Sequence, residues 1–372
     1  MSQPGVVSVR EVAVPSSADD ADLRATVDIM NAVDAHSIGS EDLVATYDEA
    51  LAQWQPTPYT HTVRLLAEVD GTPVGRGYIG MPLTESPDRA YVNVWVLPSH
   101  RRRGVGSALL RRIEAVTAEH GRSKLWAWSL SPSGPGPLLG ARTGHGGVPV
   151  DAPGARFATA AGFVLQQVER TSRLDVSGDH QGLAHSLAEA QRASSPAYRV
   201  LTWTGFTPPE RLDDMAWMSS RMSTDAPHGD IAVDEEVWDA ERVRSAERLM
   251  ASDDRYLLTA AAEHIASGRL VAYTLLTVPR AAGRVARQED TLVTAEHRGH
   301  RLGLLVKAAN LLRLTEQAPG VPAVYTWNAE ENHPMLDVND QLGFVGVGVE
   351  GQWERAPSLV VDGGAVSVPA AR

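Results

Sequence analysis

The residues best suited to chemistry in this chain are Arg101-Arg102-Arg103-Gly104-Val105-Gly106. They follow an apolar run ending at Leu97-Pro98-Ser99-His100. They precede a stretch in which Leu109, Leu110, Ile113, Val116 and Thr117 recur at helical spacing. A strand that passes through a short basic turn into a helix N-terminus suits a phosphate. The first helical turn has unpaired N–H groups, and the helix dipole favours an anion. Gly104 and Gly106 allow close backbone approach, and the arginines with Val105 and Ser107 complete the cradle through charge-assisted and backbone hydrogen bonds. A second copy occurs at Arg298-Gly299-His300-Arg301-Leu302-Gly303. Superposing Arg101 on Arg298 brings His100 onto His297, Gly106 onto Gly303 and Asn93 onto Asp290, while Arg301 takes the place of Gly104. Each half then closes its last helix with Gly-Phe, at Gly162-Phe163 and Gly343-Phe344. The chain is therefore expected to be a duplication.

The elements that would carry these loops repeat in order. In the first half, 6–14 reads as a strand, 19–33 and 41–52 as helices, and 63–69 with 73–81 as a hairpin. A strand at 90–97 leads into the loop and a helix to about His120, followed by a strand at 123–130. The Pro/Gly-rich stretch 131–154 reads as a long loop, then a short helix at 155–161 and a strand at 163–174. The second half repeats this order from Tyr198, with strands at 284–294 and 344–353 and a final tail at 357–372. The expected divisions are a first domain at 1–175, a linker at 176–197 containing a polar helix, and a second domain at 198–356.

Composition narrows the function. A chain of 372 residues is long enough for two domains. It has no cysteine, which removes disulfides, thiolate metal sites and a cysteine nucleophile, and fits a reducing compartment, so a cytoplasmic location is expected. The N-terminus has no basic segment followed by an apolar core, and no apolar run is long enough to span a bilayer, so no membrane partner is expected. A formal net charge of −12 disfavours nucleic acid and favours a small cationic substrate. The literal G-x-G-x-x-G strings at Gly75–Gly80 and Gly346–Gly351 lie within strands, where a dinucleotide fingerprint would have to open a helix. The 12 histidines show no close pairing, and no metal is expected.

R-x-x-G-x-G after a V-x-P strand end, with a following helix and a later Gly-Phe, resembles the pyrophosphate loop of the GNAT acetyltransferase superfamily. The order of elements is similar in both halves, so the chain resembles a tandem GNAT protein, of the general architecture that includes mycothiol synthase. The resemblance implies an α/β fold of two GNAT domains, each a mixed, splayed sheet flanked by helices, with acetyl-CoA as co-substrate. It implies the pyrophosphate at 101–107 and 298–303, and the thioester carbonyl near the strand N–H groups of Val94 and Val96, or of Leu292 and Val293. It places a carboxylate base on the second half's fourth strand, at Glu289 or Asp290; the first half has Asn93 there. It matches Asn332 to a cofactor-binding asparagine and sets Asn339 where the family commonly has an acid-donating tyrosine. Asn339 can donate a hydrogen bond but no proton. The first half has the more complete loop, and the second the acid and amide groups. The expectation is an N-acetyltransferase acting on a primary amine of a small molecule, with the second half catalytic and the first binding CoA largely for structure. Two alternatives stay open, a non-catalytic acyl-CoA binder or sensor and an acetyltransferase of protein N-termini or lysines. The acidic segment 225–236 is expected to help wall the acceptor site.

Overall fold

The structure is a computed structural model that describes residues 6–225, 236–251 and 254–356. The tail at 357–372 and nearly all of the acidic segment 225–236 lie outside the described residues.

The first half comprises β1 (Val7–Val12), α1 (Ala21–Ile38), α2 (Tyr47–Trp54), β2 (Thr60–Val69), β3 (Thr72–Pro82), β4 (Arg89–Val96), α3 (Val105–Glu119), β5 (Lys124–Pro132), β6 (Leu138–Gly140), β7 (Gly147–Pro149), α4 (Pro153–Ala160) and β8 (Val164–Asp175). After α5 (Gln181–Ser194) the order repeats as β9 (Tyr198–Thr204), α6 (Leu212–Asp225), α7 (Ala240–Met250), β10 (Arg255–His264), β11 (Arg269–Pro279), β12 (Ala286–Val293), α8 (Leu302–Gln317), β13 (Ala323–Ala329), α9 (His333–Leu342) and β14 (Val345–Arg355).

Local chemistry sets several boundaries. The helix expected from 41 starts instead at Tyr47, because Thr46 and Glu49 form a capping box. Gly343 ends α9 in the left-handed conformation at φ 94°, and Gly162 follows α4 at φ 80°. Each Gly-Phe pair is thus a helix stop followed by a core residue immediately before a strand. The stretch 131–154 is not a featureless loop. β6 and β7 form a small hairpin there, and Val148 is buried in the first core. The segment 176–197 carries α5, whose Leu183 and Ala190 pack into the second core beside α8.

Twelve strands form one sheet in the order β1-β2-β3-β4-β5-β14-β8-β13-β12-β11-β10-β9. Read from either edge, the order is the same in repeat terms, so the two halves are related by a pseudo-twofold axis between β8 and β14. The closing strands are exchanged. β14 pairs antiparallel with β5 of the first half, and β8 pairs antiparallel with β13 of the second. Trp353 of β14, almost fully buried, therefore belongs to the first half's core, while Leu174 of β8 belongs to the second's. Truncating a buried tryptophan costs about 3–5 kcal/mol, so each half depends on the other for its core.

Helices α3, α4, α5, α8 and α9 cover one face. Helices α1, α2, α6 and α7 cover the other, where they also cross between halves. Glu49 of α2 pairs with Arg255 and Arg284 of the second half, and Arg242 of α7 pairs with Glu85 of the first. No helix among the described residues is long and apolar enough to cross a membrane.

Candidate active site

The two basic loops have the same backbone. In the first, Arg102 and Gly104 are left-handed at φ 60° and 84°. In the second the equivalent Gly299 and Arg301 are left-handed at φ 84° and 56°. Glycine occupies one left-handed position in each loop and arginine the other, in reverse order. Arg301 therefore preserves the turn, and its guanidinium reaches away to Glu189 on α5 at 2.8 Å. The loops are pinned alike: Arg101 Nε donates to the Val96 carbonyl at 3.2 Å and Arg298 Nε to the Val293 carbonyl at 3.3 Å. No side chain caps either α3 or α8. The first-turn N–H groups, with those of Val105, Ser107 and Leu302, are thus disposed to receive a phosphate. Gly106 also serves helix packing: a Cβ there would come 3.2 Å from the Phe157 ring of α4.

Beside each loop the sheet opens. β4 and β5 pair in parallel from Arg89 to Val92 and then part, and β12 and β13 pair only at Ala286 and Arg287. Here the halves diverge. Asn93 Oδ1 accepts the Val94 N–H at 2.8 Å, which removes that N–H as a free oxyanion donor, leaving Val96. In the second half Thr294 N–H bonds back to Val271. By strand alternation Val293 N–H points the other way, into the gap, and Leu292 N–H points toward β11. Of the two expected donors, Val293 faces the opening and Leu292 does not.

β4 pairs with β3 without interruption between Tyr91 and Val96. β12 instead bulges: Glu289 and Asp290 together stand against Leu275. The Gln288 amide braces the bulge, donating to Thr274 Oγ1 at 2.9 Å and the Leu275 carbonyl at 2.7 Å. The bulge turns both acids to one face, where Thr277 Oγ1 donates to Glu289 at 2.7 Å and the Tyr273 hydroxyl to Asp290 at 3.4 Å. Asp290 is accessible to solvent yet lies deep within surrounding protein. That confinement, with the charge of Glu289, pushes its carboxyl up to about 6. Burial likewise holds the Tyr273 hydroxyl well above its usual range.

The two amides read from the late segment are otherwise engaged. Asn332 Oδ1 caps α9 through Met335 N–H at 3.4 Å. Asn339 is buried and its Nδ2 donates to Asn328 Oδ1 at 2.6 Å, so it is tied to β13. Tyr273, Gln288 and Glu189 were not legible as site residues. Only the repeat signalled Tyr273, by aligning it with Arg76.

Residues 32–133, from within α1 through β5, match the sequence profile of the Acetyltransferase (GNAT) family. With the duplicated fold and its two loops, this gives the chain the fold of two tandem GNAT domains, built as acyl-CoA-dependent N-acetyltransferases are built. Among solved structures it is similar to a tandem GNAT protein from the clavulanic acid biosynthesis pathway, solved without acetyl-CoA. The two share 26% identity at a TM-score of 0.74, over 94% of this chain and 98% of that one. It shares its fold with a GCN5-related N-acetyltransferase from Sphaerobacter thermophilus, at 14% identity and a TM-score of 0.58 over 94% and 95% of the two chains. A search of curated protein sequences returned no match.

Proposed function

We propose that this protein transfers an acetyl group from acetyl-CoA to a primary amine of a small molecule, with the chemistry in the second half. The observation that carries the reading is Asp290. It stands on a bulge that the first half lacks, beside the opened strands, with its carboxyl near 6. A base of that strength is mostly ionised at neutral pH and able to accept the proton of an ammonium. The freed amine attacks the thioester carbonyl, the C–N bond forms, and the C–S bond breaks. The Val293 N–H supports the developing oxyanion. Asn339 cannot return a proton to the leaving thiolate, so that proton comes from solvent. The first half, with Asn93 in place of the acid and the Val94 N–H occupied, is assigned a mainly structural CoA site.

The test pairs Asp290→Asn with loop variants. Asp290→Asn should lower kcat at least a hundredfold while acetyl-CoA binding by calorimetry is retained. Gly104→Glu and Gly303→Glu, each against its alanine control, should each abolish one of two binding events. Full activity in Asp290→Asn would sink the assignment of the base.

A further inference from the structure

The strand exchange places Glu169 of β8 directly opposite Glu350 of β14. Each lies six residues after the phenylalanine of its Gly-Phe pair, so they are the same residue of the repeat meeting itself across the pseudo-twofold axis. Residues directly opposite in an antiparallel pair share a face with Cβ atoms roughly 5 Å apart. That face is the one carrying Asp290. On it, Gln352 donates to Glu350 at 2.9 Å and accepts from Trp126 Nε1 at 3.0 Å. Trp128 packs edge-on against Trp95 and Tyr78, and Trp95 Nε1 donates to Asp34 at 3.0 Å.

Three carboxylates thus converge behind a tryptophan wall. Neither Glu169 nor Glu350 forms an ion pair among the described residues. Burial raises both glutamates, reinforced by Glu331 beside Glu169 and by Glu169 and Asp34 beside Glu350; burial alone pushes Asp34 up to about 6, against the Trp95 N–H and the charges of Arg76 and Arg287. A separate feature marks the same place. Thr171, two residues along β8 on the same face, is fully buried and its hydroxyl has no partner among the described residues. Opposite it stands Gly348, which brings no side chain to the space. A cavity of about 380 Å³, lined by Tyr78, Arg89, Tyr91, Trp128, Glu236 and Arg242 among others, lies against Trp128 of the wall.

We propose that the Glu169–Glu350 pair, with Asp34 and the Thr171 hydroxyl, binds a second cationic group of the acceptor, which makes the preferred acceptor a diamine or an amine bearing a guanidinium. The inference rests on the acetyl-transfer reading above. β13 alone separates Glu169 from β12 and Asp290, so the two stand at least two strand spacings, roughly 10 Å, apart, and farther where β12 and β13 part. One end of a short dication can therefore reach the dyad while the other meets the base. A bound cation favours ionised carboxylates, so its arrival should release a proton from the pair.

The probes are 1,4-diaminobutane and 1-aminobutane, compared in the full-length protein with acetyl-CoA. The expected result is a kcat/KM at least tenfold higher for the diamine, a preference that disappears in Glu169→Gln/Glu350→Gln. Calorimetry at pH 7 in buffers of different ionisation enthalpy should register proton release with the diamine in the native protein only. Equal use of both amines, or a preference that survives the double variant, overturns the dyad site and leaves the acetyl-transfer reading standing. If neither amine is acetylated, that reading is in question and calorimetry decides the site. Diamine binding weakened tenfold or more by the double variant supports it, and unchanged binding overturns it.

Discussion

Glu49 of α2 and Arg255 at the start of β10 are ion-paired in the interior, 206 residues apart in the chain. Arg284 joins them, its Nη1 2.8 Å from Glu49 Oε1. Burial opposes ionisation of Glu49, but the hydrogen bond from Arg284 and the charges of Arg255 and Arg284 outweigh it and hold the carboxyl near 2. Glu49 is also the capping-box residue of α2. One side chain therefore fixes where a helix starts and ties the first half's helix pair to the second half's sheet.

Glu49→Gln should destabilise the protein by about 3–5 kcal/mol, because it leaves a buried guanidinium without its charge partner. The native pair's contribution is fully present above the ordinary glutamate range. It fades as pH falls from there through about 2. Denaturant melts of native protein and variant should converge on acidification, and parallel curves would show that the pair carries no such linkage.

The dyad carboxylates predict the opposite slope. Glu169 and Glu350 bind protons more tightly folded than unfolded, so folding stability falls as pH rises above the ordinary glutamate range. Glu169→Gln/Glu350→Gln removes that loss. Its Tm should exceed the native value above pH 7, with the gap closing below pH 5.

The loops offer a test of backbone against charge. Gly104→Ala forces an alanine to φ 84° and should cost about 1–2 kcal/mol. Arg301→Gly relieves a similar strain but loses the exposed bridge to Glu189, worth about 0–1 kcal/mol, so its net effect should be near zero. A large loss of stability in Arg301→Gly would mean that the arginine, and not the turn, organises the second loop.

If Asp290 is the base, kcat/KM should rise with pH through an apparent value near 6. Asp290→Asn should remove that limb as well as the rate. Tyr273→Phe deletes a hydrogen bond that stabilises the ionised form, and should move the limb upward without abolishing turnover.

Local features were legible because their causes are local. The duplication, the strand–loop–helix units at 92–121 and 289–317, and the Gly-Phe stops all show in residue type and spacing. So did the position of Asp290, once the repeats were superposed. Other features misled. Arg301 looked like damage to the loop, but φ is a property of the folded turn, and the glycine had merely moved to Gly299. The stretch 131–154 hid a hairpin whose Val148 is held by contacts with distant strands.

The sequence by itself determined that this protein is two copies of one unit, each with a strand, a basic turn and a helix able to hold a phosphate. It did not determine which strand closes which sheet. β8 and β14 descend from the same strand and carry similar patterns, so either could complete either half. Pairing between strands far apart in the chain depends on packing of the whole, and the packing chose exchange. That choice put Trp353 in the first core and Glu169 against Glu350. Separately, a bulge in β12, which no residue count announces, turns Asp290 toward the same face.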